Sequence, residues 1–419
     1  MEKFIRPAAI DGQITAPPSK SDMLRAVAAA YLTHAECEIL RPSDCDDALA
    51  ALNIVKTLGA DVERTSERIR FAPGNRQPGS VLDCGESGLC IRMFPSIAAL
   101  SGAATTLTGR GSLLKRPIAM IEQPLRDLNV ACETTNGLPP VSIRGQLHAG
   151  ITTIDASTTS QFLTGLLMAL PLCDGDSEII VTNLASKPYI EMTLQLLRAF
   201  GITIEHDALT RFRIPGRQRY RATSYQVEGD WSGAAFPLVA GAIAGRASVA
   251  NLRQDSCQAD KAILNALRAA GALVQIAEDV VTVSKGDLTA FEFDATDCPD
   301  IFPPLVALAT YCQGKTVIHG AQRLQVKESD RGLALLQEFT KMGGRVTLHE
   351  KRIEIYGNPL DGGMVDSHND HRIAMACAVA ALGSNRGVRI QQAECVAKSY
   401  PDFFQDFGML TSNQPQFAP

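Results

Sequence analysis

The chain has 419 residues, with 45% hydrophobic and 20% charged side chains, which suits two or three domains that each bury a sizeable core. A formal charge of −5 excludes a general attraction to nucleic acid or anionic membrane, so any anion site must be a local cluster of cations. Eleven scattered cysteines lack a C-x-x-C pair or Cys/His ligand spacing, so reduced thiols are expected, with no metal and no cofactor.

In chain order, the opening MEKFIRPAAIDG has no signal-peptide core and contains a strand over 2–7. Apolar runs such as 234–244 carry Pro and Gly and are too short to span a bilayer, so the expected location is the cytoplasm. Lys20-Ser21-x-x-x-Arg25 follows Ala-Pro-Pro and opens an Ala-rich helix. A helix start offers unpaired N–H groups to an anion, but a capped helix with solvated basic neighbours reads equally well.

After this helix one phrase recurs: a helix-patterned run, a turn residue, then an extended segment. It occupies Leu52–Glu63, Pro124–Glu133, Leu194–Glu205, Ile263–Gln275 and Leu336–Leu348, with an abbreviated copy at Phe403–Leu410. The turn residues Gly59, Asn129, Gly201, Gly271, Gly343 and Gly408 lie about seventy residues apart. Each copy reads as strand, helix, strand, helix, strand pair, the glycine permitting a left-handed helix end.

Six α/β units then fill the chain. The sixth lacks room for its strand pair, and the N-terminal strand is expected to complete it. This places both termini in one lobe, with lobes of 16–223 and of 1–15 plus 224–419, three units in each. The two segments near 13–18 and 224–229 that link the lobes are short, which suits hinge closure over a shared cleft.

Between the repeated phrases lie polar clusters at loop-to-helix junctions. Asp83–Arg92 is a Gly-rich turn feeding a helix, where Gly85 and Gly88 allow close approach and Arg92 sits one turn in; a tight packing turn is the alternative. Lys115-Arg116 precedes Pro117. Ser157-Thr-Thr159-Ser160-Gln161 and Ser186-Lys187-Pro188-Tyr189 each start helices, as phosphate binders or plain caps. Asp300 precedes an apolar helix, as a cap or as a functional carboxylate. The run Val326-Lys327-Glu328-Ser329-Asp330-Arg331 has the look of a solvated face. His368 and His371 have the spacing of metal ligands, but no third ligand accompanies them. Lys398 precedes the final helix.

Lys20, Arg25, Arg92, Arg116, Lys327, Arg331, Arg372 and Lys398 occupy equivalent places in different units. If the units face one another, these cations converge on phosphate or carboxylate groups. Asp300 and Glu328 are then the acid/base candidates.

At this point the sequence resembles a known family. PSKSxxxR, GxSGxxxR, KRPI, SQFLT, SKPYI, VKESDR, NDHRxAM and AKSYPDFF occur in that order between Pro18 and Phe404. The set is similar to the EPSP synthases (3-phosphoshikimate 1-carboxyvinyltransferases) among the enolpyruvyl transferases. The resemblance implies an α/β fold of two lobes, six βαβαββ repeats with three per lobe, around a central cleft. It implies transfer of the enolpyruvyl group of phosphoenolpyruvate to the 5-hydroxyl of shikimate 3-phosphate, in aromatic amino-acid biosynthesis, through a tetrahedral ketal phosphate and without an enzyme nucleophile. Shikimate 3-phosphate would be held by Lys20, Ser21, Arg25, Thr159, Ser160, Gln161, Ser186, Tyr189, Asp300 and Lys327. Phosphoenolpyruvate would be held by Lys20, Gly88, Arg92, Arg116, Gln161, Arg331, Arg372 and Lys398. Lys20, Asp300 and Glu328 would be catalytic, Asp300 as base and Glu328 with Lys20 as proton donor. The partners expected are these two small molecules alone, with no nucleic acid, no membrane and a monomeric protein.

Three residues depart from the family pattern. Glu86 stands where Asn is usual, Met93 where Pro is usual, and Arg323 where Asn is common. Gly88 implies sensitivity to glyphosate, with Glu86 and Met93 bearing on its degree. The alternatives are the sister transferase acting on UDP-N-acetylglucosamine, which opens with Lys-Asn and carries a loop cysteine, and a catalytically silent anion-binding protein of the same fold.

Overall fold

Five of the six expected turn residues adopt the left-handed backbone that ends a helix: Gly59 (φ +88°), Asn129 (+67°), Gly201 (+80°), Gly271 (+89°) and Gly343 (+88°). Gly408 does not. It lies inside the helix Phe403–Leu410. These positions belong to a computed structural model that describes residues 1–72 and 80–411.

The repeat is plainest over residues 81–144. Strand Val81–Asp83 runs into helix Gly88–Ala98 and returns as Thr105–Thr108, parallel to the first. A short helix, Glu122–Asp127, leads to the hairpin Ala131–Thr135 and Leu138–Arg144, whose second arm pairs antiparallel with Thr105–Thr108. Among the described residues six sheets follow this plan, five of four strands and one of three. In the three-stranded sheet Lys3–Ile5 pairs antiparallel with Val388–Gln391, so the N-terminus completes the sixth unit.

The chain divides into two compact units, Met1–Ser19 with the chain from Glu228 onward, and Lys20–Val227. Residues 16–19 and 224–227 therefore lie in the opposite units from those expected. The reason is backbone pairing. Ala16 N donates to Ala250 O and Ser19 N to Glu228 O, while Ser224–Gln226 pairs parallel with Cys37–Leu40. Likewise Ile10–Thr15 pairs parallel with Gly245–Ala250.

Each unit has its own core built round three helices. In Lys20–Val227 these are Lys20–Leu32, Gly88–Ala98 and Gln161–Ala169. In the other unit they are Trp231–Ala244, Phe302–Ala309 and His371–Ala381, each packed on the other two. All eleven residues of Gly88–Ala98 and of His371–Ala381 are buried. A helix with no polar face has no solvent side to present, so the sheets and the amphipathic outer helices surround it. This leaves the helix ends as the places where the polar residues of the inner layer can collect.

Candidate active site

The starts of these inner helices carry the residues singled out in the sequence. In the Glu228-onward unit Asp230, Asp300 and Asp370 stand seventy residues apart, each at the start of an inner helix. Asp230 accepts from Ser232 N (2.8 Å) and Gly233 N (3.1 Å), and Asp370 accepts from Arg372 N (3.0 Å), as helix caps do.

Asp300 breaks the pattern. It lies in a 3-10 turn, Pro299–Ile301, and the residue at the cap position of Phe302–Ala309 is Ile301. Its carboxylate is thereby free of capping. Oδ1 accepts from Arg331 Nη1 (2.7 Å) and Lys327 Nζ (3.3 Å), and Oδ2 lies 3.3 Å from Arg372 Nη2. Burial alone would raise this carboxyl. Arg372, Lys327 and Arg331 outweigh burial and the nearby Glu328, and hold it well below the usual carboxylate range.

Arg331 organises the cluster. Its guanidinium is 1% exposed and meets three carboxylates: Asp300, Glu328 Oε2 (2.5 Å) and Asp370 Oδ2 (2.8 Å). The run 326–331 is thus not a solvated face. Asp330 caps the helix Arg331–Lys341 outward through Leu333 N, which turns Arg331 inward. Burial lowers the proton affinity of Lys327, with Asp300 opposing. Arg372 is drawn the other way, because Asp300 overcomes the cost of its burial. Arg323, in the turn Ala321–Arg323, is also pulled down by burial against the pull of Asp297 and Asp300.

Lys398 is buried and donates to Asn369 O (2.8 Å), next to the Asp370 cap. His368 lies 2.7 Å from Glu338, a fully buried carboxylate that also accepts from Asp366 N (3.0 Å). This fixes the left-handed pair His368–Asn369 that delivers the carbonyl to Lys398. His368 thus has a structural partner, and among the described residues no His/Cys/Asp/Glu group suits a metal ion.

In the Lys20–Val227 unit the inner helices start with serines instead, Ser87 and Ser160. Ser87 caps through Cys90 N (3.4 Å). Helix Gln161–Ala169 begins two residues earlier than the apolar run at Leu163, with Thr159 Oγ1 accepting from Gln161 N (3.3 Å). Gln161 Oε1 accepts from Arg92 Nη1 (2.9 Å), and Arg92 lies over the Phe162 ring. Lys20 Nζ is 3.1 Å from Asp47 Oδ2, at the start of helix Asp46–Thr57.

Arg25 is 1% exposed and among the described residues bonds neutral oxygens: Thr193 Oγ1 (2.9 Å), Ser21 O (2.7 Å), Tyr189 O (3.4 Å) and Thr164 Oγ1 (3.5 Å). Burial pulls its proton affinity down to about 10. Arg25 therefore ties Ser21 to the helix Lys187–Ala199, and its charge stands beneath them without a carboxylate contact. Ser186 precedes that helix in a left-handed conformation (φ +56°), which turns the chain into its first residue.

At Gly88 a side chain would have to displace the Arg116 guanidinium. A Cβ there would lie 2.6 Å from Arg116 Nη1 and 3.1 Å from Arg92 Nη1, so the two guanidinium groups close over a bare helix start. Burial pushes Cys45 up to about 11, and Cys84 and Cys90 higher still, which leaves them protonated. A cavity of about 960 Å³ in this unit lies at the other ends of the inner helices, lined by Leu32, Ile97, Ala98, Leu172 and Tyr220 among others, and contains none of these residues.

Asp47, Asp370, Glu338, Thr164 and Thr193 were not among the candidates. The seventy-residue spacing from Asp300 is a signal that could have revealed Asp370. The others are ordinary helix residues whose partners lie far along the chain.

A repeat-built α/β fold whose inner helix starts carry cations and one uncapped, ionised carboxylate defines an anion-handling transferase scaffold. A sequence model of the EPSP synthase (3-phosphoshikimate 1-carboxyvinyltransferase) family matches residues 5–407. Proteins named 3-phosphoshikimate 1-carboxyvinyltransferase are similar over nearly the full length. That of Clostridium novyi (strain NT) is 36% identical over 96% of both chains, and that of Methanocella arvoryzae is 39% identical over 95% of this chain and 96% of its own. The solved EPSP synthase of Acinetobacter baumannii superposes with a TM-score of 0.82 at 27% identity, covering 98% of each chain. The chain belongs to the EPSP synthase family.

Proposed function

We propose that this chain carries out its family's reaction, moving the carboxyvinyl group of phosphoenolpyruvate onto the 5-hydroxyl of shikimate 3-phosphate and releasing phosphate. Support for the residue roles rests chiefly on Asp300, a carboxylate in the turn before an inner helix that is not used for capping and is kept ionised by three cations.

Asp300 accepts the proton of the 5-hydroxyl as the oxygen bonds to C2 of phosphoenolpyruvate. Its depressed proton affinity ensures that it is unprotonated at neutral pH. The arriving anions draw on Lys327, Arg331 and Arg372, which restores basicity when the base is needed. Glu328 shares Arg331 with two other carboxylates. Once phosphoenolpyruvate engages Arg331, Glu328 loses part of what stabilises its charge and can hold the proton that passes, with Lys20, to the methylene carbon. The resulting tetrahedral ketal phosphate then expels phosphate, the methyl group gives up a proton, and the double bond is restored. No enzyme thiol is required.

Shikimate 3-phosphate is assigned to Lys20, Ser21, Arg25, Thr159, Ser160, Gln161, Ser186, Tyr189, Asp300 and Lys327. Phosphoenolpyruvate is assigned to Lys20, Gly88, Arg92, Arg116, Gln161, Arg331, Arg372 and Lys398. Rate enhancement comes from orientation and preorganised charge rather than covalent chemistry. Glyphosate competes at the donor site, beside Gly88, Arg92 and Arg116. We place the protein in the cytoplasm as a monomer. Its eleven cysteines, ten of them buried, suit a reducing compartment, and a mass measurement in solution tests the oligomeric state.

The decisive experiment is phosphate release from phosphoenolpyruvate with shikimate 3-phosphate or UDP-N-acetylglucosamine as acceptor. Release should require shikimate 3-phosphate and fall sharply in Asp300→Ala. Release with the nucleotide sugar would transfer the assignment to the sister reaction, and none with either acceptor would leave a silent binding protein.

A further inference from the structure

Glu86 puts a carboxylate beside a site assigned to anions, and its surroundings give it a purpose. Glu86 Oε2 accepts from Ser112 N (3.1 Å) and Ser112 Oγ (3.1 Å). Ser112 Oγ in turn lies 3.5 Å from Arg116 Nη2. One line of hydrogen bonds thus runs from the Arg116 guanidinium through the Ser112 hydroxyl to the Glu86 carboxylate. The backbone is shaped around it. Gly111 (φ +58°) passes so close that a Cβ would lie 2.5 Å from Glu86 Cδ. Arg110 N donates to Gly85 O (2.8 Å), and a Cβ on Gly109 would lie 2.6 Å from that same oxygen. The turn 83–88 and the loop 109–116 are therefore seated face to face, joined by the exposed Arg110–Asp83 pair (3.5 Å) and, nearer Arg116, by Glu86.

We infer that Glu86 is a positioning residue for Arg116, holding the loop so that the guanidinium lies across Gly88 and sets the affinity for the anionic donor. This rests on the assignment of Arg116 to phosphoenolpyruvate above. Two physical effects oppose each other here. A carboxylate near the donor repels it, while a carboxylate that accepts two hydrogen bonds from the loop prevents Arg116 from swinging into solvent. The loop is a single 3-10 turn, Gly111–Lys115, anchored by the buried Leu113, and Glu86 is bonded to Ser112 within that turn, so the second effect wins.

Steady-state kinetics of the full-length enzyme separates the two. Glu86→Ala should raise KM for phosphoenolpyruvate about tenfold or more, leave KM for shikimate 3-phosphate within about twofold and change kcat by less than about threefold. Glu86→Gln keeps an acceptor oxygen and should recover most of the loss. Gly111→Ala, which pushes the carboxylate away without removing it, should repeat the selective rise. A KM for phosphoenolpyruvate that is unchanged in Glu86→Ala, or that drops below wild type in Glu86→Gln, would overturn the inference and leave Glu86 as a repelling charge. Arg116→Ala is the control. If it too leaves KM for phosphoenolpyruvate unchanged, the donor-site assignment has failed. If it raises that KM while Glu86→Ala does not, only the role of Glu86 has failed. Should Glu86→Ala not fold, Glu86→Gln and Gly111→Ala decide between the same outcomes.

Discussion

Asp300 illustrates how one side chain is prepared by its neighbours. A buried carboxyl without partners would be protonated at neutral pH, whereas here Lys327, Arg331 and Arg372 keep it charged. Asp300→Asn keeps the shape and removes the base, so kcat should fall by about 10²–10⁴ with a smaller change in KM for phosphoenolpyruvate, measured as phosphate release. The same residue links stability to pH. Its folded-state proton affinity lies below that of an unfolded Asp, about 3.9, so its contribution is complete above that value and is lost as pH falls through the depressed one. Thermal midpoints of wild type and Asp300→Asn should differ most at neutral pH and converge on acidification below about pH 4. A gap that widened in acid would contradict the sign. Much at this scale was legible beforehand, since VKESDR and NDHR are dense in charge and short in sequence. The three-carboxylate surroundings of Arg331 were not, because Asp300 and Asp370 reach it from 31 and 39 residues away.

At the scale of elements, equivalent positions have diverged in use. Asp230 and Asp370 cap their helices while Asp300, displaced into a 3-10 turn, does not. Asp370 does two jobs, capping His371–Ala381 and pairing with Arg331, and two variants separate them. Asp370→Asn retains a good cap but leaves Arg331 short of a charge, while Asp370→Ala loses both. By urea unfolding the first should cost up to about 3–5 kcal/mol for the broken buried pair, and the second about 0.5–2 kcal/mol more. Equal losses would mean that the cap contributes nothing. The five left-handed turns make a simpler case. Asn129 occupies the position held by glycine in the other four, so Asn129→Gly should be nearly neutral, and Asn129→Val should cost about 1–2 kcal/mol, because a β-branched side chain resists positive φ. Helices ending in these turns could be read from the sequence, since the turn residue is a local steric requirement. The last helix differs from the local reading, because it runs on through Gly408 to Leu410.

For the molecule as a whole, the strands at the boundaries of the two units matter most. Ser224–Gln226 completes the first sheet of the Lys20–Val227 unit, where Tyr225 OH donates to Asp22 Oδ1 (2.7 Å) and its ring lies 5.6 Å from that of Phe200. The core of this unit is contiguous and drawn wholly from its own residues. A fragment spanning 20–227 should therefore unfold cooperatively in urea, and one ending at 223 should be weaker by at least about 2 kcal/mol, the worth of a few lost hydrogen bonds. Equal stability would show that the strand is dispensable. The sequence by itself determined the sixfold repeat, five of the six helix ends and most of the polar residues at the helix starts, because each depends on periodicity or on sterics within a few residues. Only the tertiary structure decided that residues 16–19 and 224–227 change units, that Asp300 is released from capping, and that Glu86 is tied to Ser112. Those outcomes depend on which distant backbone and side-chain groups satisfy one another once water is excluded, and nothing in a local stretch of chain specifies that.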